Sequence, residues 1–341
     1  MNIVFHGMNA GSFATGFAGL LDTAHALTTL GDTLASDADR AAYAAADAII
    51  GVKFDATCPS APGLKLYQVP GAGYDAIDLA LLPPAVSLCN VFEHEHAIAE
   101  YVMTALLLRI VDLPRADADL RRNVWTFWAG MAEAAHDELR GKTIGLLGYG
   151  HIGKEVAVRA RAFGLKIHVC NRSAVDTAGV GMTRIDRAWT LDGLHAFMGS
   201  ADFIVSSLPL LPGTAGLINA PALAAMQPHA VILNVGRGGV IDEAALYDAL
   251  KSRRIGGAVI DTWYRYPAGP GAEAAPGNLP FHDLDTLTMT PHMSGWTRGT
   301  IARRQATMAD NINRLARHET LRNIVRPGIV RPGIDRNGAA A

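Results

Sequence analysis

Residues 144–153 read Ile-Gly-Leu-Leu-Gly-Tyr-Gly-His-Ile-Gly, which sets Gly148, Gly150 and Gly153 in a G-x-G-x-x-G spacing. The flanking residues restrict what such a chain can fold into. Lys142 to Leu147 is an apolar, β-branched strand. Ile152, Val156, Ala160 and Phe163 then recur at helical spacing until Gly164 supplies a C-terminal stop. Gly148 is expected to allow the tight turn, Gly150 the close approach of a pyrophosphate, and Gly153 the packing of helix on strand. The pyrophosphate would rest on N–H groups at the helix N-terminus, where the dipole favours negative charge. A bare triplet is weak, because the chain holds 35 glycines. Set in strand–turn–helix–strand, it predicts a nucleotide cofactor.

The bulk properties bound the rest. A chain of 341 residues, half hydrophobic and 18% charged, predicts a globular protein of two domains. A net charge near −2, without a Lys/Arg-rich run, gives no footprint for nucleic acid. Cys58, Cys89 and Cys170 are scattered without a C-x-x-C, against a disulfide scaffold or structural zinc and in keeping with a reducing compartment. Asn2 to Phe5 opens as a strand rather than a signal peptide. The longest apolar stretch, Ala97 to Val111, is interrupted by Glu100 and Arg109, so no membrane span is expected. The expectation is a soluble cytoplasmic protein.

Short apolar runs alternate with helical patterns throughout, the mark of α/β architecture with parallel sheets. In the first third, strands are predicted at 2–5, 48–52, 66–69 and 86–89, with an Ala-rich helix over Arg40–Asp47. A long helix, His96–Arg109, follows, its neighbourhood ended by Pro114; Arg121–Arg140 reads as irregular and carries Trp125, Phe127 and Trp128. Six strands are predicted from the fingerprint on, at 142–147, 165–170, 203–208, 230–235, 257–261 and 286–290, the number a dinucleotide-binding sheet needs. A final helix, Thr300–Arg317, is expected to return to the first domain. The tandem Val-Arg-Pro-Gly-Ile of 325–334 falls in a stretch without apolar periodicity, so 326–341 is expected to be a flexible tail.

Four stretches downstream of the glycines carry chemistry. Asn171-Arg172-Ser173 closes the second strand, 18 residues after Gly153. An NAD site wants an acid there for the ribose hydroxyls. A guanidinium, a hydroxyl and an amide suit a 2′-phosphate, so NADP is preferred, with NAD and a merely solvated Arg172 as the alternative. Asn234-Val235-Gly236-Arg237-Gly238-Gly239 ends a buried strand, where an Arg fork can hold an α-oxo carboxylate and polarise its carbonyl; a surface Arg on a turn is the plainer alternative. Ile260-Asp261-Thr262-Trp263 puts an acid at another strand end, where a carboxamide could be held. Thr290-Pro291-His292 puts a His at a further one. A lone His is more often structural, but beside an Arg in one sheet-edge crevice it suits acid–base work near neutral pH.

In these motifs the chain resembles the D-isomer-specific 2-hydroxyacid dehydrogenase family. The resemblance runs from Leu66 to Val325, through Val69-Pro-Gly-Ala-Gly-Tyr-Asp-Ala-Ile-Asp78, Ile98-Ala-Glu100, the glycine fingerprint, Leu208-Pro-Leu210 with Thr214, Asn234 to Asp242, Gly257 to Asp261, Thr290-Pro-His292 and Asn311…Leu321-Arg-Asn-Ile-Val325. It implies a Rossmann-type doubly wound parallel sheet (98–294) inserted into a discontinuous flavodoxin-like substrate domain (1–97 and 295–325), an interdomain active site and a homodimer. It further implies that Arg237 binds substrate carboxyl and carbonyl, that His292 donates the proton, and that backbone groups of Gly71, Ala72 and Gly73 help cradle the carboxylate. The cofactor side would comprise Gly148, Tyr149, Gly150, His151, Ile152 and Gly153, then Asn171, Arg172 and Ser173. At the other strand ends it would take in Leu208, Pro209 and Thr214, then Val235, Gly236 and Arg237, and finally Asp261, His292 and Gly295.

One departure stands out. Family members usually carry a Glu, five residues after the position of Asp261, that pairs with the His; here it is Tyr266. A phenol raises an imidazole pKa less than a carboxylate does, so His292 is expected to stay protonated over a narrower, more acidic range, with Tyr266 its neighbour in catalysis. Formate dehydrogenases of the superfamily also lack that Glu and share Thr-Pro-His-x-Ser-Gly, which makes formate oxidation a rival. His94 falls near the Asn those enzymes use, and is assigned to the substrate side. A nucleotide-sensing protein like the C-terminal-binding corepressors is the non-enzymatic rival. Glu93-His94-Glu95-His96 is not H-E-x-x-H, and His94 and His96 do not share a helix face, so no metal is expected. Gly7–Gly11 reads as an ordinary turn. Trp125, Phe127 and Trp128 read as a dimer arm or core packing, with a substrate lid as the lesser alternative. The resulting expectation is an NADP-preferring reductase of a small 2-oxo acid such as glyoxylate or hydroxypyruvate.

Overall fold

The computed structural model describes residues 1–269 and 271–328. In chain order its strands are β1 (Asn2–His6), β2 (Ala26–Leu30), β3 (Ala48–Gly51), β4 (Leu66–Gln68), β5 (Ser87–Cys89), β6 (Thr143–Leu147), β7 (Lys166–Asn171), β8 (Arg187–Thr190), β9 (Phe203–Ser206), β10 (Val231–Asn234), β11 (Gly257–Ile260), β12 (Leu287–Met289) and β13 (Ile324–Arg326). The helices are α1 (Met8–Gly11), α2 (Asp37–Ala44), α3 (Glu95–Ile110), α4 (Leu113–Leu120), α5 (His151–Ala162), α6 (Leu194–Met198), α7 (Ala220–Ala225), α8 (Glu243–Lys251) and α9 (Arg298–Ala316). The chain forms two compact units: Met1–Glu93 with the segment that starts at Arg298, and His94–Thr297. The changes of unit fall ahead of α3 and α9, so neither helix is cut, whereas a boundary at 97/98 would divide α3.

The first unit is a six-stranded sheet in the order β13-β5-β4-β3-β1-β2, parallel except for β13. Its five parallel strands have the 2-1-3-4-5 order of flavodoxin-like folds. Alternate residues feed two cores: Val4, Ile49, Tyr67 and Leu88 on one face, and Ile3, Phe5, Ile50 and Leu66 on the other, where Met308 and Ile312 of α9 pack. Asn311, fully buried on α9, fastens this helix to the sheet, its amide donating to Gln68 Oε1 at 2.7 Å and its carbonyl accepting from Arg322 N at 2.7 Å.

The second unit is a seven-stranded, wholly parallel sheet in the order β12-β11-β10-β9-β6-β7-β8. A parallel sheet with crossover helices is covered on both faces. Ile144, Leu146, Val205, Leu233 and Val259 face a core shared with α3 and α5; Leu147, Ile204, Ile232 and Ile260 face one shared with α6, α7 and α8. From β6 the chain steps outward through β7 and β8, then resumes at β9 on the other side of β6. That reversal makes the switch point where α/β sheets bind ligands, at the carboxyl ends of the strands.

The departures from sequence expectation have local causes. β2, β8 and β13 escape prediction because they are edge strands, short and half-exposed, with little apolar contrast. The helix predicted over Arg40–Asp47 starts earlier, at Asp37, because Ser36 and Asp39 form a capping box. Pro114 opens a helix instead of closing one: it lies in the first turn of α4, where its missing N–H costs nothing, and Asp112 caps the same turn by accepting from Arg115 N. Gly7–Gly11 contains a single helical turn, α1, whose Met8 N–H donates to the Asp32 carboxylate. The tail expected from 326 begins inside structure, since Arg326 belongs to β13 and Gly328 N donates to Ser87 Oγ at 3.1 Å. Residues 329–341 lie outside the described residues.

Candidate active and cofactor site

The glycine turn divides into two kinds of position. Gly148 has φ of +98°, a conformation that strains any other residue. A Cβ on Gly153 would run into the Gly148 carbonyl, so α5 can pack on β6 only with glycine there. Both are demanded by the fold itself. Gly150, the N-cap of α5, differs: a Cβ on it would meet no atom within 4 Å. Among the described residues no neighbour accounts for its bare backbone, which lies beside the helix N-terminus, where N–H groups have no intrahelical acceptor. A dinucleotide pyrophosphate fits this cradle. Tyr149 and Ile152 turn their side chains toward the α3/α5 core. His151 Nδ1 lies 3.7 Å from Glu95 Oε1 on α3.

At the end of β7, Asn171 Oδ1 accepts from Tyr149 N at 3.4 Å, and its amide donates to Ser173 O at 3.3 Å. One side chain thus ties the glycine turn to the loop that presents Arg172 and Ser173. Arg172 is exposed and, among the described residues, makes no hydrogen bond or ion pair. No acid stands at this strand end.

Beyond β9, Thr214 closes the 208–214 loop on itself, donating to Pro209 O at 2.6 Å and accepting from Leu211 N at 2.8 Å. Arg237 lies three residues past the end of β10. Its flanking glycines have a steric reason: a Cβ on Gly236 would lie 2.9 Å from Leu208 N, and one on Gly238 would strike the Trp263 carbonyl. The loops after β9 and β11 therefore leave no room for side chains at the positions on either side of Arg237. Asn234, buried at the last position of β10, shapes the turn by donating to Arg237 O at 3.0 Å and accepting from Gly236 N at 3.2 Å. Val235 is buried below it.

Asp261 is fully buried just past β11. Its Oδ1 accepts from Thr290 Oγ1 at 2.6 Å and from Met293 N at 2.9 Å, and its Oδ2 accepts from Ser294 N at 3.0 Å. The carboxylate expected to hold a carboxamide is engaged with the loop after β12. Those bonds straddle His292, which stands exposed with φ of +58°, a left-handed conformation that costs about 1–3 kcal/mol in a non-glycine residue and persists only where neighbours impose it. Tyr266 meets His292 ring to ring, with centroids 5.5 Å apart and planes at 46°. Its phenol oxygen accepts from Trp263 N at 3.1 Å. Burial pushes the Tyr266 pKa above the usual phenol value, opposed by that N–H and by the positive charge of Arg237, and helped by Asp261. Arg237, Asp261, Tyr266 and His292 thus belong to one neighbourhood at the ends of adjacent strands β10, β11 and β12.

Gly295 packs against α3: a Cβ on it would lie 3.3 Å from His94 Cβ and 3.4 Å from Ile98. This brings His94, the N-cap of α3, beside the loop that carries His292. Gly71, Ala72 and Gly73 belong to the first unit, where Gly71 O accepts from Val91 N at 3.1 Å and Ala72 O accepts from the Asn90 amide at 2.8 Å. His96 pairs with Glu155 at 3.0 Å, and no cluster of three or more potential metal ligands occurs among the described residues. Trp125 and Trp128 are 65% and 55% exposed, which removes core packing as their role. Asn234, Trp263 and Thr290 emerge as site-shaping residues although only their motifs drew notice in the sequence. Tyr101, on α3, had no sequence signal at all, because its partner lies 189 residues away.

Comparison with known proteins agrees with this architecture. The sequence profile described as "D-isomer specific 2-hydroxyacid dehydrogenase, NAD binding domain" matches residues 103–294. The D-3-phosphoglycerate dehydrogenase of Methanocaldococcus jannaschii is 31% identical over 77% of this chain and 47% of its own length. This chain spans about half the length of the curated relatives it matches. Among solved structures, the NADPH-dependent glyoxylate/hydroxypyruvate reductase of Sinorhizobium meliloti, in complex with NADP and sulfate, superposes with a TM-score of 0.72 at 24% identity, over 95% of this chain and 97% of that one. A formate dehydrogenase from Granulicella gives 0.74 at 22%, over 94% and 84%. At such identities these two establish the shared fold. No helix of the described residues is long and apolar enough to cross a membrane. With the profile covering more than half its length and the sheet, the glycine turn and the strand-end Arg, Asp and His all in their order, this chain belongs to the D-isomer-specific 2-hydroxyacid dehydrogenase family, a family of NAD-binding oxidoreductases.

Proposed function

We propose that this chain is an NADPH-preferring reductase of a small 2-oxo acid of the glyoxylate or hydroxypyruvate kind. The observation that carries the reading is the neighbourhood of Arg237, Tyr266 and His292 at the carboxyl ends of three adjacent parallel strands. Arg237 offers a planar fork to the substrate carboxylate and draws charge from the adjacent carbonyl. When bound, the reduced nicotinamide supplies a hydride to the carbonyl carbon. His292 gives its proton to the carbonyl oxygen, so hydride and proton together yield the 2-hydroxy acid. Arg237→Ala is expected to raise KM and lower kcat together, because it acts on bound substrate and transition state alike. His292→Gln is expected to lower kcat by roughly 10²–10⁴-fold. Near wild-type reduction of 2-oxo acids by both variants would remove the site.

For the cofactor, Gly150 and the first turn of α5 would receive the pyrophosphate, and Arg172 with Ser173 the 2′-phosphate. Support comes from the exposed guanidinium, the lack of an acid at the end of β7, and the NADPH dependence named for the Sinorhizobium enzyme. Arg172→Ala is expected to weaken NADPH about 10- to 100-fold while sparing NADH, the scale of one charge-assisted contact. Steady-state kinetics with both cofactors check this; a wild-type preference for NADH, or equal losses, would contradict it.

The Tyr266–His292 contact yields a pH test. A phenol is neutral where an imidazole titrates, and burial shifts Tyr266 further in that direction, so it adds no charge to the imidazole. His292 must hold a proton to donate it, so reduction is expected to decline as pH rises through its titration. Tyr266→Glu places a carboxylate beside the ring, favours the protonated imidazole and moves the basic limb of kcat/KM to higher pH. An unmoved limb in a folded variant would mean that residue 266 does not influence the proton donor. The same contact favours formate oxidation as the second reading, since that reaction needs no proton from His292. Formate oxidation that survives His292→Gln, with no reduction of any 2-oxo acid, would establish it.

A homodimer is also proposed, supported by the exposed indoles of Trp125 and Trp128 beyond α4. Sedimentation is expected to give a dimer that Trp125→Ser with Trp128→Ser weakens; an unchanged dimer would place the contact elsewhere.

A further inference from the structure

The loop that carries His292 is held from a direction no motif announces. Thr290, two residues before the imidazole, is bonded at every polar atom. Its N–H donates to Ile260 O at 3.0 Å, and its carbonyl accepts from the Trp263 indole at 2.8 Å. Its hydroxyl proton goes to Asp261 Oδ1 at 2.6 Å. A hydroxyl has one proton, and a carboxylate can only accept. The contact of Tyr101 Oη with Thr290 Oγ1, at 2.7 Å, is therefore a donation from the phenol. The result is a directed chain, Tyr101 to Thr290 to Asp261, and Asp261 in turn accepts the N–H groups of Met293 and Ser294 on the far side of His292. α3 itself is packed into the sheet's core through Ile98, Val102 and Leu106, which makes it a rigid base for the phenol.

We propose that Tyr101 is a positioning residue for His292, acting from α3 through the Thr290 hydroxyl and the Asp261 carboxylate; its effect on turnover rests on the proposed role of His292 as proton donor. Without the phenol proton, the Thr290 hydroxyl gains a free acceptor site and a second rotamer. Asp261 then loses the fixed donor that sets its plane, and the strained backbone at His292 loses part of what imposes it. A proton donor displaced by a fraction of an ångström lowers turnover more than it alters binding.

The test uses Tyr101→Phe, Thr290→Val and Thr290→Ser in the full chain. One readout is the ¹H–¹³C signal of His292 in histidine-labelled protein, identified as the one that His292→Gln removes. Tyr101→Phe and Thr290→Val are expected to shift or broaden that signal and to lower kcat roughly 5- to 30-fold, with NADPH affinity and substrate KM within about twofold of wild type. Thr290→Ser, which keeps the hydroxyl, is expected to restore both signal and kcat. An unmoved His292 signal in Tyr101→Phe overturns the proposal, whatever kcat does. A displaced signal with unchanged kcat upholds the positioning and removes the proton-donor reading instead. If Tyr101→Phe does not fold, Tyr101→Met, which also removes the phenol proton, is read by the same signal: a displaced signal upholds the proposal and an unmoved one overturns it.

Discussion

A buried carboxylate needs donors, and in the second unit of this protein the need of Asp261 builds the site. Removed from water at the end of an interior strand, Asp261 is tolerable only if its lone pairs are satisfied. The donors come from one place, the turn after β12, where a hydroxyl and two backbone N–H groups converge on it. That convergence imposes the left-handed backbone at His292 and turns the imidazole outward beside Tyr266. Charge burial, usually a cost, is here the means by which a loop acquires a single conformation.

The same edge of the sheet solves two steric problems with glycine and leaves a third glycine without an internal reason. Gly153 and Gly238 are bare because neighbouring carbonyls occupy the space of a side chain. Gly150 is bare although a Cβ on it would meet no atom of the described residues within 4 Å. A position that the fold would let carry an alanine, at the N-terminus of a helix that opens from the switch point of a parallel sheet, is what a bound pyrophosphate would require. Arg172 is exposed on the loop that Asn171 ties to that turn, and the proposed preference for NADPH rests on it.

Much of this was legible in the sequence. The glycine triplet, the buried strands β6, β7, β9, β10 and β11, and the strand-end positions of Arg237, Asp261 and His292 follow from hydrophobic runs and their punctuation. Edge strands β2, β8 and β13 did not, since half-buried strands lack apolar contrast, and Pro114 misled because proline marks the start of a helix as readily as a stop. At the site, sequence suggested the chemistry of Asp261 but not its partners. A carboxylate at a strand end looks the same whether it faces a ligand or a loop, and only the fold brings Thr290, Met293 and Ser294 to it. Tyr101 was invisible for the same reason: one aromatic within a helix carries no mark of the strand end it touches.

Membership in an NAD-binding oxidoreductase family leaves the reaction of this chain as the central claim, and isotope transfer tests it most directly. The chain is incubated with a 2-oxo acid and NADPH carrying deuterium at nicotinamide C4, in separate samples labelled on either face, and the product is analysed by mass spectrometry. The account predicts that one label arrives intact on C2 of the 2-hydroxy acid. Saturable NADPH binding with no label in the product, across glyoxylate, hydroxypyruvate and larger 2-oxo acids, would contradict it.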